Sequence, residues 1–253
     1  MLAAERYDRI IELVNIKGSI RVSELSEHCR VTEETIRRDL DRLEQAGQLR
    51  RSHGGAVSVK EVQPEIPYRI RETSQALEKK RIAEAALALI EAGDRILLDA
   101  STTAGYMAVN MPDMPLTILT NSIQVATELS TREQIEVIST GGHLASRSLS
   151  FVGPLAERSL ETYHVDKLFL SCKGVHLESG TISETNELQA RLKQKMVGIA
   201  DQVILLADSS KFGIRAFARV TGLEAVHTII TDQPCSEEQS FLYSTYHLKI
   251  QTV

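Results

Sequence analysis

The sequence predicts two domains, a small winged helix-turn-helix domain in residues 1–57 and an α/β domain with a mostly parallel sheet in residues 76–253. The first prediction rests on three short helical patterns, the last two joined by a tight turn, and on two strand-like runs around a glycine pair. The second rests on apolar strand-like segments that alternate with helical patterns. Residues 58–75 contain two prolines and no clear period, and we interpret them as a linker.

The first two helices of the small domain carry recognisable end signals. Apolar residues recur at helical spacing through residues 3–17, and Gly18 ends that helix. Residues 19–22 are short and extended. Serine is a residue type that accepts hydrogen bonds at a helix N-terminus, so we predict that Ser23 caps the second helix.

The third helix is followed by a hairpin. Thr32 is predicted to cap this helix, which runs to about Ala46 and is ended by Gly47. Gly54 and Gly55 then separate two strand-like runs, and a glycine pair suits a turn that needs positive φ. A helix-turn-helix with such a hairpin is a winged helix.

One side of the third helix is polar and basic. At about 100° per residue, Ile36, Leu40 and Leu43 share the buried side, so the polar residues near the helix start point outward. Arginine there can donate two hydrogen bonds to guanine in the major groove. The alternative is a solvated helix whose arginines pair with its own acidic residues. We predict that the contacts with double-stranded DNA come from Ser23, Thr32, Glu34, Thr35, Arg37, Arg38, Arg42, Arg51, His53, Gly54 and Gly55.

Composition narrows the possible function classes. The chain carries 29 Lys and Arg residues and 34 Asp and Glu residues, but residues 1–60 carry 11 and 10, so the negative charge falls in the larger domain. Three widely separated cysteines and scattered histidines predict no metal site. The N-terminus is charged and helical, unlike a signal peptide, and no apolar run approaches the roughly 20 residues that span a bilayer. We therefore expect a cytoplasmic protein without membrane contact.

The larger domain begins with an amphipathic helix and continues with strands. The helix runs from residue 76 to Gly93. Seven nearly continuous apolar segments follow, and helical patterns lie between most of them, which predicts a parallel sheet covered on both faces. The predicted strands are residues 95–100, 116–121, 135–140, 167–172, 202–208, 228–232 and 248–253.

Polar residues follow five of these strands. Ligands of parallel sheets bind at the carboxyl ends of the strands. Hydroxyl, amide, glycine and lysine groups there suit a small polyhydroxylated anion, with phosphate on the free N–H groups of the helix that "STT" opens. Each group also has a plain structural explanation as a helix cap, a turn or a solvated lysine. The candidate ligand-binding residues are Asp99, Ser101, Thr102, Thr103, Asn121, Ser122, Gly141, Gly142, Lys173, Gly174, Glu184 and Lys211.

Several of these motifs resemble those of one family. "VSEL" (22–25), "VTEETIRRDLDRLEQAG" (31–47) and "RRSHGGA" (50–56) resemble the head of DeoR-type bacterial transcriptional regulators, and T-I-R-R-D-L followed by H-G-G-A is highly specific to that family. In the larger domain, "ADSSKFG" (207–213) and the aspartate-plus-TT loop are further hallmarks of the family. The family's loop usually reads D-x-G-T-T, whereas Ser101 stands here in the glycine position, which puts close backbone approach to a phosphate in doubt.

The resemblance implies a function. Such regulators carry a sensor domain similar to ribose-5-phosphate isomerase and respond to phosphorylated sugars. In this chain, Asp99 can accept hydrogen bonds from sugar hydroxyls, and Lys173 and Lys211 can neutralise the charge of the phosphate. We expect a homo-oligomeric repressor of a carbohydrate-catabolism operon that a sugar phosphate releases from operator DNA. The overall likeness of the chain to this family favours, as the effector, a ketose 1-phosphate of a deoxyhexose pathway such as that of rhamnose. No cofactor is expected.

The alternative is a sugar-phosphate isomerase-like enzyme fused to a DNA-binding head. In the isomerases, the helix resembling "RLKQKMV" (191–197) carries a glutamate base, and Gln194 stands in its place here. Glutamine cannot accept the proton. Glu184 and Glu187 remain as nearby carboxylates, but we predict no catalytic residue. A third reading, a DNA-binding structural protein with a vestigial body, leaves the polar groups at five strand ends without a role.

Overall fold

The structure is a computed structural model of the 253-residue chain. It describes residues 3–17, 19–52, 54–58, 65–234 and 243–253. The chain divides into two compact units, Met1–Ile66 and Pro67–Val253. Gly18, His53 and residues 59–64 of the predicted linker lie outside the described residues.

The first unit is a winged helix-turn-helix, as predicted. Its three strands form one antiparallel sheet in the order β1-β3-β2. Its elements are α1 (Ala3–Lys17), β1 (Ser19–Arg21), α2 (Val22–Cys29), α3 (Glu33–Gln45), β2 (Leu49–Ser52) and β3 (Gly55–Ser58).

The two cap predictions for this unit had different outcomes. Thr32 caps α3 as predicted, and its Oγ1 accepts a hydrogen bond of 3.3 Å from the backbone N–H of Thr35. The prediction that Ser23 caps α2 is wrong, because α2 begins at Val22 and Arg21 is its N-cap residue. The physical reason is that the backbone N–H of Val22 donates to Gly54 O at 2.9 Å, so the chain passes from β1 directly into the helix.

Packing in this unit explains one glycine and one buried ion pair. A Cβ atom on Gly55 would lie 2.1 Å from the carbonyl oxygen of Ile20, so the pairing of β3 with β1 requires glycine there. Asp39 of α3 is buried and accepts from Arg6 of α1, with its Oδ2 2.6 Å from Nε and its Oδ1 3.2 Å from Nη2. This pair fixes α3 against α1.

The second unit contains a seven-stranded sheet, and the seven predicted strands form it. Its order is β15-β14-β12-β9-β4-β5-β6, and every neighbouring pair is parallel. Buried apolar clusters cover both faces. Two smaller antiparallel sheets, β10-β11-β13 and β7-β8, lie outside it. The strands are β4 (Arg95–Leu98), β5 (Leu116–Thr120), β6 (Ile135–Ser139), β7 (His143–Ala145), β8 (Ser150–Val152), β9 (Val165–Ser171), β10 (Gly174–His176), β11 (Thr181–Glu184), β12 (Ala200–Leu206), β13 (Ala218–Gly222), β14 (Thr228–Thr231) and β15 (Lys249–Thr252).

Helices connect most of the strands of the large sheet. None of the described helices is both long and apolar enough to cross a bilayer. Short 3₁₀ turns occupy Ser209–Lys211 and Leu223–Ala225. The helices are α4 (Tyr68–Thr73), α5 (Ala76–Leu87), α6 (Thr102–Asn110), α7 (Ile123–Leu129), α8 (Pro154–Leu160) and α9 (Glu187–Gly198).

Two predictions about the start of this unit are wrong. The predicted linker, residues 58–75, contains α4, because Tyr68 is buried and its backbone N–H donates to Arg147 O at 2.7 Å. Its hydroxyl packs closely on Gly105 of α6. The following helix, α5, ends at Leu87 and not at Gly93, because the chain turns there to reach β4.

The strand order fixes where a ligand site can form. From the central strand β4 the chain moves to one side through β5 and β6, then returns to pair β9 with the other side of β4. The carboxyl ends of β4 and β9 therefore flank the point at which the chain reverses its direction of winding, where open α/β sheets bind ligands. The loops that begin at Asp99 and at Cys172 meet there.

Candidate functional sites

Helix α3 presents its arginines to solvent. The side chain of Arg38 is 75% exposed and that of Arg37 is 49% exposed. Each is also paired within the helix, since Arg37 Nη2 lies 2.7 Å from Glu33 and Arg38 Nε lies 3.3 Å from Glu34. Exposed pairs of this kind contribute about 0–1 kcal/mol. Both arginines therefore point outward, as predicted, and pair with acidic residues of their own helix, as the alternative predicted.

The wing is tied to α3 by polar contacts. The backbone N–H of Arg51 in β2 donates to Glu44 at 2.7 Å, and Arg51 Nη1 lies 2.5 Å from Asp41 Oδ1. Arg42 donates to the Tyr7 hydroxyl at 2.9 Å. A phosphate contact by Arg51 would thus compete with its pair to Asp41. The tie was not foreseen from sequence because it joins residues ten positions apart in different elements.

The other predicted DNA-contacting residues lie around α2, α3 and the turn of the wing. Ser23 is exposed in the first turn of α2, and Glu34 is exposed on α3. The hydroxyls of Thr32 and Thr35 are 3.0 Å apart at the start of α3. Gly54 has φ +82 and forms the turn with Gly55.

Asp99 is a buried anchor of the strand ends. It has no exposed surface. Its Oδ1 accepts from the backbone N–H of Ser101 at 3.0 Å and its Oδ2 from that of Ser171 at 2.9 Å, which joins the loop after β4 to the end of β9. The prediction that Asp99 accepts hydrogen bonds from sugar hydroxyls does not match this burial, and Asp99 instead positions the loops.

The next loop residues open helix α6. Ser101 is its N-cap residue, and its Oγ accepts from Ala104 N at 3.0 Å, so its hydroxyl has the plain capping role. The backbone N–H groups of Thr102 and Thr103 donate to no carbonyl among the described residues. Free N–H groups at a helix N-terminus attract anions.

The predicted residues after β5 and β6 are engaged in packing. Asn121 Nδ2 donates to Phe151 O at 3.0 Å, whereas its buried Oδ1 has no donor among the described residues. Ser122 caps α7. Gly142 has φ +116, and a Cβ there would lie 2.9 Å from Val152 O. Gly141 and Gly142 follow the edge strand β6, two strands from β4, so the structure separates them from the other candidates.

The loops after β9 and β12 bring two lysines together. Phe212 pairs with Val175, and Gly213 N donates to Val175 O at 2.8 Å, which places Lys211 beside Lys173. Burial lowers the pKa of Lys173, and the charge of Lys211 lowers it further. Lys211 Nζ lies 3.7 Å from Asp208 Oδ2, but Lys173 forms no ion pair with any described residue. Gly174 allows close packing, since a Cβ there would lie 2.4 Å from Ile214 O.

Lys193 of α9 was missed by the sequence analysis. Its Nζ lies 2.5 Å from Glu184 Oε1 and 3.1 Å from Asp99 Oδ2. A signal was available, because Lys193 falls at the helical spacing of the buried residues Ala190 and Met196. We call Asp99, Lys173, Glu184, Lys193 and Lys211 the strand-end cluster.

Gln194, which the sequence analysis placed at the position of a catalytic base, lies elsewhere. It is exposed, and its Nε2 donates to Arg219 O at 3.0 Å, so it does not belong to the strand-end cluster. Glu187 is exposed and pairs with Arg191 at 2.6 Å. The described residues contain no group of His, Cys, Asp and Glu side chains that could hold a metal ion.

A groove of about 940 Å³ lies at the amino ends of the large-sheet strands, opposite the strand-end cluster. Three of its acidic lining residues are ion-paired, Asp94 with Lys167 at 2.7 Å, Asp166 with Arg95 at 2.6 Å and Asp201 with His164 at 2.9 Å. Its two lysines are Lys167, which is paired, and Lys249, which is exposed. The strand-end cluster, with its unpaired lysine, is the better candidate site.

Comparison with known proteins gives one consistent family. A DeoR-like helix-turn-helix domain model matches residues 6–62, and a DeoR C-terminal sensor domain model matches residues 74–233. The chain resembles a ribose 5-phosphate isomerase A from Methanocaldococcus jannaschii over 55% of each chain, with 16% identity and a TM-score of 0.42. A likeness of this size carries no argument about activity.

The similar curated proteins are regulators. The chain is 57% identical to the uncharacterized HTH-type transcriptional regulator YulB of Bacillus subtilis (strain 168), over 92% of this chain and 90% of that protein. It is 39% identical to the L-fucose operon activator of Haemophilus influenzae, over 90% and 91%. It is 35% identical to the transcriptional repressor AccR of Agrobacterium fabrum, over 90% and 89%. The chain belongs to the DeoR family of transcriptional regulators, with a DNA-binding helix-turn-helix unit and a sensor unit.

Proposed function

We propose that the protein represses a carbohydrate-catabolism operon and that a phosphorylated sugar, bound at the strand-end cluster, releases it from its operator. The observation that carries this proposal is Lys173. Lys173 is half-buried, burial and the charge of Lys211 lower its pKa, and it forms no ion pair with any described residue. Buried charges are ordinarily paired, because desolvation of an unpaired ion is costly. A phosphate is the partner that this site lacks.

The N-terminus of helix α6 also supports a phosphate at the strand-end cluster. The free N–H groups of Thr102 and Thr103 lie at the start of α6, and a helix N-terminus carries a partial positive charge. Ser101 is held by its capping bond and Asp99 by two backbone donors, so this loop is ordered before a ligand arrives. Pre-ordered donors bind an anion without a cost in loop entropy.

The sugar part of the effector needs hydrogen-bonding groups beyond the lysines. Asn121 Oδ1 is a buried acceptor without a donor among the described residues, and a sugar hydroxyl or a bridging water would satisfy it. Ser122 and Glu184 lie at neighbouring strand ends and are the further candidates. Gly141 and Gly142 serve the fold of the β6 end, and we do not propose them as contacts.

The names of the relatives suggest the sugar class and the direction of regulation. Three are named L-fucose operon activators, at 39%, 36% and 36% identity, and others are named as repressors. L-Fucose is a 6-deoxyhexose, which agrees with the expectation of a ketose 1-phosphate from a deoxyhexose. We propose repression, with a homo-oligomer that binds two operator half-sites, as helix-turn-helix proteins commonly do.

Effector release requires that the sugar phosphate bind the DNA-free state more tightly than the DNA-bound state. The test uses DNA fragments that the wild-type protein selects from a random pool, titrated with 6-deoxyketose 1-phosphates. We expect Lys173→Met and Lys211→Met to bind the DNA as wild type does but to resist release. Lys249→Met, at an exposed position on β15, is the control and should respond normally. Normal release of both site variants would contradict the proposed site.

A further inference from the structure

We propose that helix α4 couples the anion site to the DNA-binding unit, with Lys79 holding the end of the helix. The proposal rests on the proposed function, since it needs an anion at Lys173 and Lys211. Lys79 was not among the residues that the sequence predicted for the site.

The position of α4 in the chain gives it this role. The second unit begins at Pro67, and α4 starts at the next residue, so α4 is the first helix that follows the segment from the DNA-binding unit. Any shift of α4 therefore moves the attachment point of that segment.

The start of α4 is held by the sensor unit. The backbone N–H of Tyr68 donates to Arg147 O at 2.7 Å, and the Tyr68 side chain is only 3% exposed. Its hydroxyl packs against Gly105, where a Cβ would lie 2.3 Å away. Gly105 belongs to α6, the helix whose N-terminus lies at the proposed phosphate position. The start of α4 thus packs directly on an element of the site.

The end of α4 is held by a buried lysine of α5. Lys79 Nζ donates to Arg71 O at 2.5 Å and to Ser74 O at 2.6 Å, and the residue is 5% exposed. These carbonyls lie at the helix C-terminus, where carbonyl groups lack partners within the helix. Gln75, at φ +51, makes the sharp turn into α5. Lys79 is therefore the clamp that keeps α4 folded back onto the unit.

The side chain of Lys79 lies within the electrostatic field of the strand-end cluster. Burial lowers the pKa of Lys79 to about 8, and the charge of Lys211 is the next largest cause. Arg71 of α4 also lowers the pKa of Lys79 and that of Lys173. The positive charges of α4, α5 and the two lysine loops thus repel one another. An anion among them removes that repulsion and stabilises α4 in its docked position.

Hydrogen–deuterium exchange on the full-length protein tests this coupling. Inorganic phosphate is the probe, and sodium chloride at equal ionic strength is the control. We expect phosphate to slow exchange of the amides in residues 100–104 and 208–213, which line the site, and also in residues 68–74. Exchange in β15 should stay unchanged, since β15 is the far edge strand of the sheet.

Different outcomes separate the two proposals. Protection of the strand-end loops without protection of residues 68–74 would overturn the coupling role of α4 and leave the site intact. Protection of neither segment would overturn the proposed site, and the coupling with it. These comparisons use the wild-type protein, so they do not depend on how any variant folds.

A matched pair of variants tests the role of Lys79. In Lys79→Met, phosphate should still protect the strand-end loops but should lose its effect on residues 68–74. Lys80→Met is the same substitution at the next, exposed position of α5 and should behave as wild type. Equal protection of residues 68–74 in both variants would show that Lys79 is not the clamp.

Discussion

Lys193 and Glu184 form a buried ion pair, with Nζ and Oε1 2.5 Å apart, at the floor of the proposed site. The same ammonium donates to Ser171 O at 2.6 Å and lies 3.1 Å from Asp99. Burial lowers the pKa of Lys193, but the charges of Glu184 and Asp99 outweigh burial and raise it overall. One side chain thus ties together the ends of β4, β9 and β11.

Replacing this lysine should destabilise the sensor unit strongly. Lys193→Met leaves Asp99 and Glu184 as buried carboxylates without a counterion, and breaking a buried pair in this way typically costs about 3–5 kcal/mol. Lys195→Met is the control on the same helix, since its pair with Glu161 is exposed and contributes about 0–1 kcal/mol. Urea denaturation of both variants measures the free energy of unfolding. Equal stability of the two variants would show that the buried pair is not needed.

Arg38 should contribute to sequence-specific DNA binding. Its side chain is 75% exposed and pairs, among the described residues, with Glu34 alone, so it can reach a base edge. We expect Arg38→Ala to weaken binding to selected DNA by about 1–3 kcal/mol, the usual value of a bidentate base contact. Arg9→Ala, which removes an exposed arginine of α1, should have little effect. Fluorescence anisotropy on selected and scrambled DNA measures both, and wild-type affinity in a folded Arg38→Ala protein would refute the assignment of α3 as the recognition helix.

Asp41 should limit how strongly the wing binds phosphate. It holds Arg51 at 2.5 Å and adds a negative charge beside the DNA surface. Asp41→Asn should therefore strengthen binding to selected and scrambled DNA by a similar factor, because phosphate contacts carry no sequence information. Arg51→Ala should weaken both in the same uniform way. If Asp41→Asn instead bound both DNAs more weakly, the Asp41–Arg51 pair would itself be part of the DNA-binding surface.

Phosphate binding should take up protons near pH 8. The ammonium of Lys79, with a pKa lowered to about 8, faces Lys211 and Asp208 of the 3₁₀ turn, Arg71 of α4 and Glu78 of its own helix. A bound anion favours the protonated lysine and raises its pKa, so protons are taken up and the affinity falls as the pH rises through 8. Calorimetry at pH 8 in buffers of different ionisation enthalpy measures the uptake.

The Lys79→Met variant provides the control for this pH effect. It should take up fewer protons than wild type, while Lys173, whose pKa is also lowered, accounts for the remainder. Binding heats that do not depend on the buffer in the wild-type protein would contradict the location of the anion beside these lysines.

Local patterns predicted the elements whose signals lie within short segments. The seven apolar runs became the seven strands of the parallel sheet, and Thr32 caps α3 because its hydroxyl reaches the N–H of Thr35 within one turn. Ser23 failed as a cap because a bond from Val22 to Gly54, 32 positions away in the wing, starts the helix earlier. Tertiary contacts of that kind leave no mark in a local pattern.

The candidate site was predicted in outline but not in its charges. Sequence placed Lys173 and Lys211 at strand ends, and the fold brings them together. It could not show that Asp99 is fully buried, because that depends on Lys193 and on backbone donors from a strand 72 positions away. Lys79 and Lys193 each occupy a buried helical position, and a lysine in an apolar stripe is the signal that identifies such residues.

The most direct test of the central claim is calorimetric titration of the wild-type protein with a 6-deoxyketose 1-phosphate and with the same sugar without its phosphate. The account predicts that the plain sugar binds at least about 100-fold more weakly, since it loses charge-assisted hydrogen bonds worth roughly 3 kcal/mol. It also predicts that the Lys173→Met, Lys211→Met double variant loses most of this difference. Equal affinity of the wild-type protein for the two sugars would contradict a phosphate site at the strand ends.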